Sequence, residues 1–431
     1  MSKIVAFLPA KGTSERTPNK NVALLDGKPL VLRMAERLLR CPSITEVWLD
    51  TESETVFRLC QHLPVRWLRR DPALASNATD GHALFANEVA QVEADIYVQA
   101  LCTSPFLKPD TIEAAIAAVR DGPHDSCVAI RREKLYRWEE GAPAYGRGRI
   151  PNSVDLPAND IEAMSLYVVE GHAARRAGRR FGDRPFLMPI APIEAVDVNT
   201  PEELELAHLI AAGQRERERV ALRSLPALLS SSMLSDTLDE MSIPGVARGL
   251  KPNRSRARIA GRANTLALRP LEPGEDFHGI YDALRSYDTV VPGDVILVQN
   301  KLPDFAYFGD LNARIAMRQG AVGAVVDGAT RDFNNVRALD FPVFARGLSA
   351  ADVRGRATVE SMGRPITIGG VPAAPGDFVF ADADGVCIVP QAREAEVLRR
   401  CLARNDNEGR IAHDIAQGDD LRRILAARGE F

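Results

Sequence analysis

The first half of the chain alternates short apolar runs with stretches whose apolar residues recur at helical spacing. The apolar runs predict buried strands at residues 4–8, 46–50, 96–99, 127–130, 165–169 and 194–198. The helical spacing covers residues 30–39, 54–61 and 81–92. Strands that alternate with helices predict a parallel sheet with helices on both faces. A last helix is expected to begin at Pro201, because Asn199 or Thr200 can cap it and acidic residues follow.

The second half has a different pattern, in which glycine and proline separate shorter apolar runs. Strands are predicted at residues 294–299, 321–326 and 378–381, with a short helix at 311–318 and a helical tail from residue 392. This pattern is typical of a mixed α/β domain. Near residue 213 the composition changes to charges of alternating sign, followed by a serine-rich stretch. We therefore predict a first domain over residues 1–212, a linker over 213–230 and a second domain over 231–431.

The composition excludes several classes of protein. Of the 431 residues, 45% are hydrophobic and 26% are charged, which is typical of globular domains. The net charge of −4 gives no signature of nucleic-acid binding, and no apolar run approaches the roughly 20 residues that span a bilayer. The six cysteines are scattered without a C-x-x-C pair, so neither disulfides nor a zinc site is predicted. With no secretory pattern at the N-terminus, we expect a cytoplasmic protein without nucleic-acid or membrane partners.

The turn after the first predicted strand carries the strongest candidate chemistry of the first half. Ligands of open α/β sheets bind at the carboxyl ends of the strands, which is where residues 8–21 lie. Backbone N–H groups around Gly12 can hold phosphate oxygens, and cations add charge. Lys11, Arg16 and Lys20 are therefore candidate contacts of a triphosphate. A solvated basic loop is the alternative interpretation.

A second candidate site lies in residues 308–332. Gly309-Asp310 is expected to begin a helix, so the N–H groups of the first turn point outward and suit a carboxylate or a phosphate. A buried strand follows, and Gly328 is expected to turn the chain so that Arg331-Asp332 returns to the same place. Arg331 could then bind an anion while Asp332 holds a hydrated divalent ion. The alternative is an ordinary surface ion pair.

The first half resembles the cytidylyltransferases that activate 3-deoxy-2-ulosonic acids, which are the acylneuraminate and 3-deoxy-manno-octulosonate synthetases. The resemblance rests on "LPAKGTSERTPNKNVALLDGKPL", "WLDTESE", "ALASNATDG", "LCTSPFLKPDTIEAAI", "DLPANDIEAMSLYVV" and "VDVNTPEELELA", and it covers residues 1 to about 210. It implies a Rossmann-like nucleotide-diphospho-sugar transferase fold. It also implies transfer of CMP from CTP to a 2-keto-3-deoxy sugar acid, with release of pyrophosphate.

The same resemblance implies roles for individual residues. Nucleotide-binding residues would be Lys11, Gly12, Ser14, Arg16, Lys20 and Asn21, of which Lys20 would also be catalytic. A magnesium ion would bind at Asp197 and at position 199. Gln99 is a weaker candidate for a nucleotide contact.

Several positions depart from the pattern of that family. Position 199 is asparagine instead of a second carboxylate, which should weaken metal binding unless Glu202 or Glu203 compensates. Three further departures affect recognition of the nucleotide: Lys11 replaces an arginine, Glu15 replaces a lysine, and Asp80 stands where a serine often reads cytosine. A different nucleotide or a different sugar therefore stays open as an alternative.

The second half resembles the family shared by the RraA regulators of ribonuclease E and the class II 4-hydroxy-4-methyl-2-oxoglutarate aldolases. The matching stretches are "LSDTLDEMSIPGV", "IAGRANTL", "FGDLNARIAMRQGAVGAVVDGATRD", "VPGDVILV", "FPVFARG" and "PGDFVFADADGVCIVP". The resemblance implies a swivelling β/β/α fold over about residues 233 to 395. The aldolase members carry a Gly-Asp…Arg-Asp set, which is present here.

By this resemblance the second half would be a magnesium-dependent aldolase acting on pyruvate or a 4-hydroxy-2-keto acid. The keto acid would contact Gly309, Asp310, Leu311, Asn312 and Arg331. Arg331 and Asp332 would be catalytic, with Asp332 holding the metal. Asp236 and His278 could approach a neighbouring subunit's site. A non-catalytic binding or oligomerisation module is the alternative.

Together the two resemblances predict a bifunctional enzyme of acidic-sugar metabolism. Both halves would recognise a 2-keto acid, which gives the fusion chemical sense. We expect a homo-oligomer, because both families form oligomers.

Overall fold

The computed structural model describes residues 2–12, 20–76, 78–418 and 420–429, apart from the side chain of Arg223. The chain divides into two compact units, residues 1–212 and residues 213–431. Each unit has its own sheet and its own apolar core.

The first unit contains a seven-stranded sheet in the order β11-β7-β10-β6-β1-β4-β5. The strands of this unit, including two short hairpins, are β1 Ile4–Pro9, β2 Leu24–Leu25, β3 Lys28–Pro29, β4 Glu46–Thr51, β5 Val65–Arg69, β6 Ile96–Ala100, β7 Ser126–Glu133, β8 Trp138–Glu139, β9 Ala142–Pro143, β10 Asn159–Glu170 and β11 Pro185–Pro189. Its helices are α1 Leu30–Leu39, α2 Glu54–Cys60, α3 Gly81–Gln91, α4 Pro109–Arg120, α5 Gly171–Ala177 and α6 Pro201–Leu228. Short 3₁₀ turns occupy Lys20–Val22, Pro72–Ala75 and Ser153–Asp155.

Helices cover both faces of this sheet, as the alternating pattern predicted. Successive side chains of a strand point to opposite faces. Ile4, Ala6 and Leu8 of β1 therefore pack with α1, α2 and α4, while Val5 and Phe7 pack with α3 and α5.

The sheet is mixed, so the prediction of a parallel sheet was wrong for one strand. β10 is antiparallel to both of its neighbours, β6 and β7. The chain leaves β7 and returns through a long excursion without a crossover helix, and parallel pairing would need such a crossover.

Three strands also differ from the predictions. Residues 194–198 form a turn and an extended segment, so the strand predicted there is wrong. The sequence pattern missed two edge strands, β5 and β11. Polar residues interrupt β5, and β11 begins and ends with proline, which edge strands tolerate.

Residues 213–228, which were predicted as part of a linker, belong to the long helix α6. A short break separates α6 from α7, Ser231–Glu240. Ser230 caps α7, because its Oγ accepts a hydrogen bond from the Met233 N–H. The helix break therefore lies in the serine-rich stretch.

The second unit contains a ten-stranded sheet in the order β12-β23-β22-β14-β15-β17-β18-β13, with β16 on β17 and β19 on β14. Its strands, including the hairpin β20-β21, are β12 Val246–Ala247, β13 Lys251–Pro252, β14 Ile259–Pro270, β15 Asp294–Asn300, β16 Ala306–Phe308, β17 Gly323–Thr330, β18 Val343–Leu348, β19 Ala357–Met362, β20 Ile366–Ile368, β21 Val371–Ala373, β22 Phe378–Ala381 and β23 Val386–Val389. The other helices are α8 Asp310–Gln319, α9 Phe333–Ala338, α10 Glu394–Ala416 and α11 Leu421–Arg428, and a 3₁₀ segment covers Phe277–Thr289.

The segment α8-β17 places the second candidate site. α8 begins after Gly309 and ends at Gly320, whose φ of 87° suits a residue without a side chain. β17 is longer than predicted and includes Gly328, so the predicted turn at Gly328 is wrong. A Cβ at Gly328 would lie 2.9 Å from Asn300 Nδ2, so close packing explains this glycine.

No helix within the described ranges combines the length and the apolar character that a membrane crossing requires.

Candidate functional site

The first unit brings together predicted residues from opposite ends of its sequence. Lys20 Nζ donates a hydrogen bond to Asn199 Oδ1 at 2.7 Å, although 179 positions separate the two residues. Asn199 Nδ2 donates in turn to Asp197 Oδ2 at 2.5 Å. Val198 N–H bonds to the Thr103 carbonyl at 2.8 Å, which fixes this segment beyond the carboxyl end of β6. The predicted phosphate-binding lysine and the predicted metal ligands therefore form one cluster.

Asp197 has an oxygen that could bind a cation. Its Oδ1 is buried and has no hydrogen-bond partner among the described residues. Buried polar atoms normally have partners, so an unsatisfied carboxylate oxygen is consistent with a ligand at this position.

Glu203 does not replace the missing carboxylate at position 199. Its Oε2 accepts hydrogen bonds from the N–H groups of Asn199 and Thr200 at 2.7 and 2.9 Å. Thr200 Oγ1 accepts from Glu203 N–H, which completes a reciprocal cap of α6. Glu202 is exposed, and hydrogen bonds at this helix start lower the pKa of its carboxyl. Both acids therefore serve the helix start, contrary to the expected compensation.

Hydrogen bonds within the protein hold both ends of the turn after β1. Gly12 N–H donates to Glu52 Oε1 at 2.6 Å, so the hydrogen bond of this N–H goes to a carboxylate instead of open space. A Cβ at Gly12 would lie 2.6 Å from Ser53 Cβ, which explains the glycine by close packing. Asn21 is buried, and its Nδ2 donates to the Lys11 carbonyl at 2.8 Å. Ser14 and Arg16 lie outside the described residues.

The Asn21 side chain also contacts Cys102, whose Sγ donates to Asn21 Oδ1 at 3.3 Å. Burial raises the pKa of the Cys102 thiol to about 12, so the thiol stays protonated and acts as a small packing residue. All six cysteines are free and buried.

A buried polar network next to this site was missed by the sequence analysis. Arg70 Nη2 and Nε donate to the Asp50 carboxylate at 2.8 and 3.0 Å. Glu88, on α3, faces Asp50 and accepts from Gln99 Nε2 at 2.5 Å. Burial and the neighbouring Asp50 raise the pKa of Glu88 well above its ordinary value. In the sequence, this network is indicated only by Gln99, a polar residue in the otherwise apolar strand β6.

The second unit brings together residues of the second candidate site, the predicted keto-acid site. Asp310 N–H, at the start of α8, donates to Asp332 Oδ2 at 3.3 Å. A Cβ at Gly309 would lie 2.4 Å from the same oxygen, so glycine is needed for this approach. Asp332 has a φ of 55°, a left-handed backbone that costs a non-glycine residue on the order of 1 kcal/mol. A strained acid held against a helix start is consistent with a functional position.

Arg331 lies beside Asp332 and has a partner that was not predicted. Arg331 Nη1 forms an ion pair with Asp352 Oδ2 at 2.6 Å, whereas its Nε lies 3.7 Å from Asp332 Oδ2. Arg331 and Asp332 border an open cavity of about 380 Å³, which is also lined by Thr330, Phe333, Leu348, Ser349 and Ala350. Asp352 follows β18, too far along the chain for local pattern to assign it.

The remaining predicted keto-acid residues occupy the first turn of α8. Leu311 is 69% exposed, and its backbone N–H belongs to the first turn. Asn312 caps the helix, because its Oδ1 accepts from Gly309 N–H at 3.3 Å while its Nδ2 donates to Tyr287 Oη at 3.1 Å.

Asp236 and His278, suggested as contacts of a neighbouring subunit, have partners within the chain. Asp236 pairs with Arg404, and His278 Nδ1 lies 2.6 Å from Asp276 Oδ1.

Within the described ranges, no three His, Cys, Asp or Glu side chains cluster as they would in a complete protein-supplied metal cage. A Mg²⁺ ion does not require one, because it retains water and phosphate oxygens beside one or two carboxylates. Asp197 in the first unit and Asp332 in the second are the carboxylates that fit this pattern.

Comparison with known proteins defines two classes of domain. A cytidylyltransferase family model matches residues 5–152, and an Aldolase/RraA family model matches residues 231–388. The first unit thus contains a region that matches cytidylyltransferases, and the second unit matches the Aldolase/RraA family over most of its length.

Individual relatives agree with this division. The chain is 32% identical over 184 residues to a putative 4-hydroxy-4-methyl-2-oxoglutarate aldolase of Halalkalibacterium halodurans, covering 42% of the chain and 83% of that protein. It is 34% identical over 194 residues to protein DlpA of Legionella pneumophila, covering 44% of the chain but only 31% of DlpA. It is 28% identical over 227 residues to 3-deoxy-manno-octulosonate cytidylyltransferase of Escherichia coli, covering 49% of the chain and 85% of that enzyme. The chain belongs to the Aldolase/RraA family through its second unit, and both predicted resemblances are confirmed.

Proposed function

We propose that the first unit transfers CMP from CTP to a 2-keto-3-deoxy sugar acid, and that the second unit is a magnesium-dependent aldolase for a related 2-keto acid. The observation that carries the first activity is the contact of Lys20 with Asn199, which in turn contacts Asp197. Lys20 lies within residues 5–152, which match the cytidylyltransferase family model. The relative named 3-deoxy-manno-octulosonate cytidylyltransferase supports an ulosonic acid as the acceptor.

The proposed reaction is an in-line displacement at the α-phosphorus of CTP. The anomeric hydroxyl oxygen forms a bond to that phosphorus, the bond to the bridging oxygen of pyrophosphate breaks, and the hydroxyl proton is released. Such a reaction depends on positioning and on neutralisation of charge. Lys20 supplies a positive charge to the triphosphate, with Lys11 and Arg16 as further candidates. Asn21 holds the backbone of the turn through the Lys11 carbonyl.

Asp197 is the proposed magnesium ligand in this unit, because its Oδ1 is buried without a partner among the described residues. Asn199 adds a neutral amide in place of a second carboxylate. When bound, magnesium would neutralise charge on the phosphates. We expect weaker metal binding than two carboxylates would give.

The second proposed activity rests on Arg331 and Asp332, which line the cavity, and on Gly309 and Asp310, which lie against the Asp332 carboxylate. Arg331 would bind the keto acid, and the N–H groups of Leu311 and Asn312 would receive its carboxylate. Asp332 would hold magnesium, which as a Lewis acid stabilises an enolate. Two units that use 2-keto acids would make one bifunctional enzyme of acidic-sugar metabolism. A cytoplasmic homo-oligomer belongs to the same proposal.

Pyrophosphate release tests the first activity. It should be measured for CTP, UTP, GTP and ATP with 3-deoxy-manno-octulosonate, N-acetylneuraminate and other ulosonic acids. We expect release only with CTP and an acid, and a loss of at least about 100-fold in Lys20→Met. Lys301→Met is a matched control, because Lys301 is exposed and belongs to the second unit. Release that does not depend on CTP would refute the assignment.

Magnesium-dependent pyruvate release from a panel of 4-hydroxy-2-keto acids tests the second activity. Arg331→Ala should abolish it, whereas Arg337→Ala, an exposed arginine of the following helix, should not. Absence of turnover with every substrate would favour a non-catalytic binding or oligomerisation module.

A further inference from the structure

The first unit contains a buried guanidinium, that of Arg180, which has no carboxylate partner among the described residues. Arg180 is 7% exposed, and its Nε is buried without a hydrogen-bond partner in the part of the chain that the structure describes. Its guanidinium carbon lies 4.8 Å from the centroid of the Tyr167 ring. The approach is possible because position 81 is glycine, where a Cβ would lie 2.4 Å from Arg180 Nη1. A buried cation without a counter-ion is costly, so its presence calls for an anion that the described residues do not supply.

Asp80, which feels the charge of Arg180, and Glu162, which shares Tyr167 with it, have other hydrogen-bond partners. Asp80 Oδ1 accepts from the N–H groups of His82 and Ala83, both at 2.8 Å, and so caps α3. The N–H groups of Ala83 and His82 lower the pKa of the Asp80 carboxyl, and Arg180 adds to this shift through its charge. Glu162 accepts its hydrogen bond from the Tyr167 hydroxyl.

The strand register places Arg180 relative to the nucleotide turn. Tyr167 of β10 pairs with Gln99 of β6, which pairs with Phe7 of β1. Neighbouring strands lie about 4.8 Å apart, so Tyr167 is about 10 Å from β1. Arg180 packs on Tyr167 and therefore lies two strands away from β1, the strand that ends at the proposed phosphate contacts.

Gln99, the residue of β6 that pairs with Tyr167, carries a second unsatisfied polar atom. Gln99 Nε2 donates to Glu88 Oε2, which leaves Gln99 Oε1 as the free end of a fixed amide. That oxygen is buried and has no donor among the described residues. On the face of the sheet under α3, the part of the chain that the structure describes thus supplies neither an anion for Arg180 nor a hydrogen-bond donor for Gln99 Oε1. A hydroxylated carboxylic acid would supply both.

From this arrangement we infer that Arg180 binds the carboxylate of the acceptor sugar acid. This inference rests on the proposed cytidylyltransferase function and adds the subsite that recognises the acceptor. A phosphate of CTP is the other anion at hand. Arg180 lies two strands away from β1, where the phosphates of CTP are proposed to bind, and this distance favours the carboxylate of the acceptor.

The test is a comparison of Arg180→Met and Arg180→Lys with the wild-type protein. The assay is pyrophosphate release at varied 3-deoxy-manno-octulosonate with saturating CTP, and then at varied CTP with saturating acid. Arg180→Met should raise KM for the acid by about tenfold to a hundredfold, since it removes a charge-assisted hydrogen bond, while KM for CTP stays within twofold. Arg180→Lys should recover part of the loss. Arg179→Met is the matched control, because Arg179 is more exposed and already pairs with Asp183.

The other outcomes overturn the inference. An equal rise of both KM values would assign Arg180 to the nucleotide. Unchanged KM values with a lowered unfolding temperature would assign it to packing against Tyr167. If the wild-type protein turns over no acid, the proposed function fails separately, and calorimetric titration with 3-deoxy-manno-octulosonate decides the inference. It then requires binding to the wild-type protein that Arg180→Met weakens, and equal affinities or no binding would refute it.

Discussion

The buried network of the first unit gives a quantitative prediction, because it holds two carboxyl groups and only one cation. Asp50 and Glu88 are fully buried, and Arg70 is 4% exposed. Arg70 forms two hydrogen bonds with the Asp50 carboxylate and a third with the Asp50 carbonyl, at 3.0, 2.8 and 2.9 Å. One cation can neutralise one carboxylate, so Glu88 has no cation of its own, and burial together with Asp50 raises its pKa well above the ordinary value.

Replacement of Arg70 by methionine should therefore destabilise the first unit strongly. The substitution leaves Asp50 as an uncompensated charge in an apolar interior, which costs about 3–5 kcal/mol. Glu88→Gln should change the free energy of unfolding by less than about 1 kcal/mol. Its amide can still accept from Gln99, as Glu88 Oε2 does, and can donate to Asp50 in place of the carboxyl proton.

Urea unfolding followed by tryptophan fluorescence measures both variants. Trp48, Trp67 and Trp138 are the three tryptophans of the chain and all lie in the first unit, so the signal reports on that unit alone. If Glu88→Gln destabilises as much as Arg70→Met, Glu88 is ionised and the reasoning is wrong.

The same network predicts a pH dependence with a definite sign. The pKa of Glu88 is raised in the folded protein above its ordinary value of 4.5, so the folded state binds the proton more tightly than the unfolded state. Stability is therefore lost as pH rises from 4.5 toward the raised pKa, by about 1.4 kcal/mol per pH unit. Glu88→Gln removes this slope, and parallel curves for the two proteins would contradict a protonated Glu88.

Three further predictions concern the two sites. Asn199→Asp should lower the magnesium concentration for half-maximal pyrophosphate release severalfold, because it restores a second carboxylate; an unchanged magnesium titration would exclude a ligand at this position. Gly309→Ala should abolish pyruvate release by displacing the carboxylate that it faces, whereas Gly347→Ala, with open space around the new methyl, should keep it. Asp352→Asn should raise KM for the keto acid about tenfold by releasing Arg331, and a loss confined to kcat would argue against this role.

Much of the fold could be predicted because its signals are local. The alternation of β1, α1 and β4, the start of α8 after Gly309 and the cap of α6 depend on residues a few positions apart. Hydrophobic periodicity and helix capping are properties of consecutive residues, so the sequence alone contains them. The candidate turn after β1 and the Arg331-Asp332 pair were recognisable for the same reason, since each is a short run of consecutive residues.

The tertiary structure decided the features that join distant parts of the chain. It reversed β10, brought Lys20 to Asn199, paired Arg331 with Asp352 and left Arg180 buried above Tyr167. Charge compensation in a low-dielectric interior depends on which groups end up adjacent, and no periodicity along the chain encodes that. The sequence by itself therefore determined the elements and the candidate chemistry, while packing determined which charges are paired and which still need a ligand.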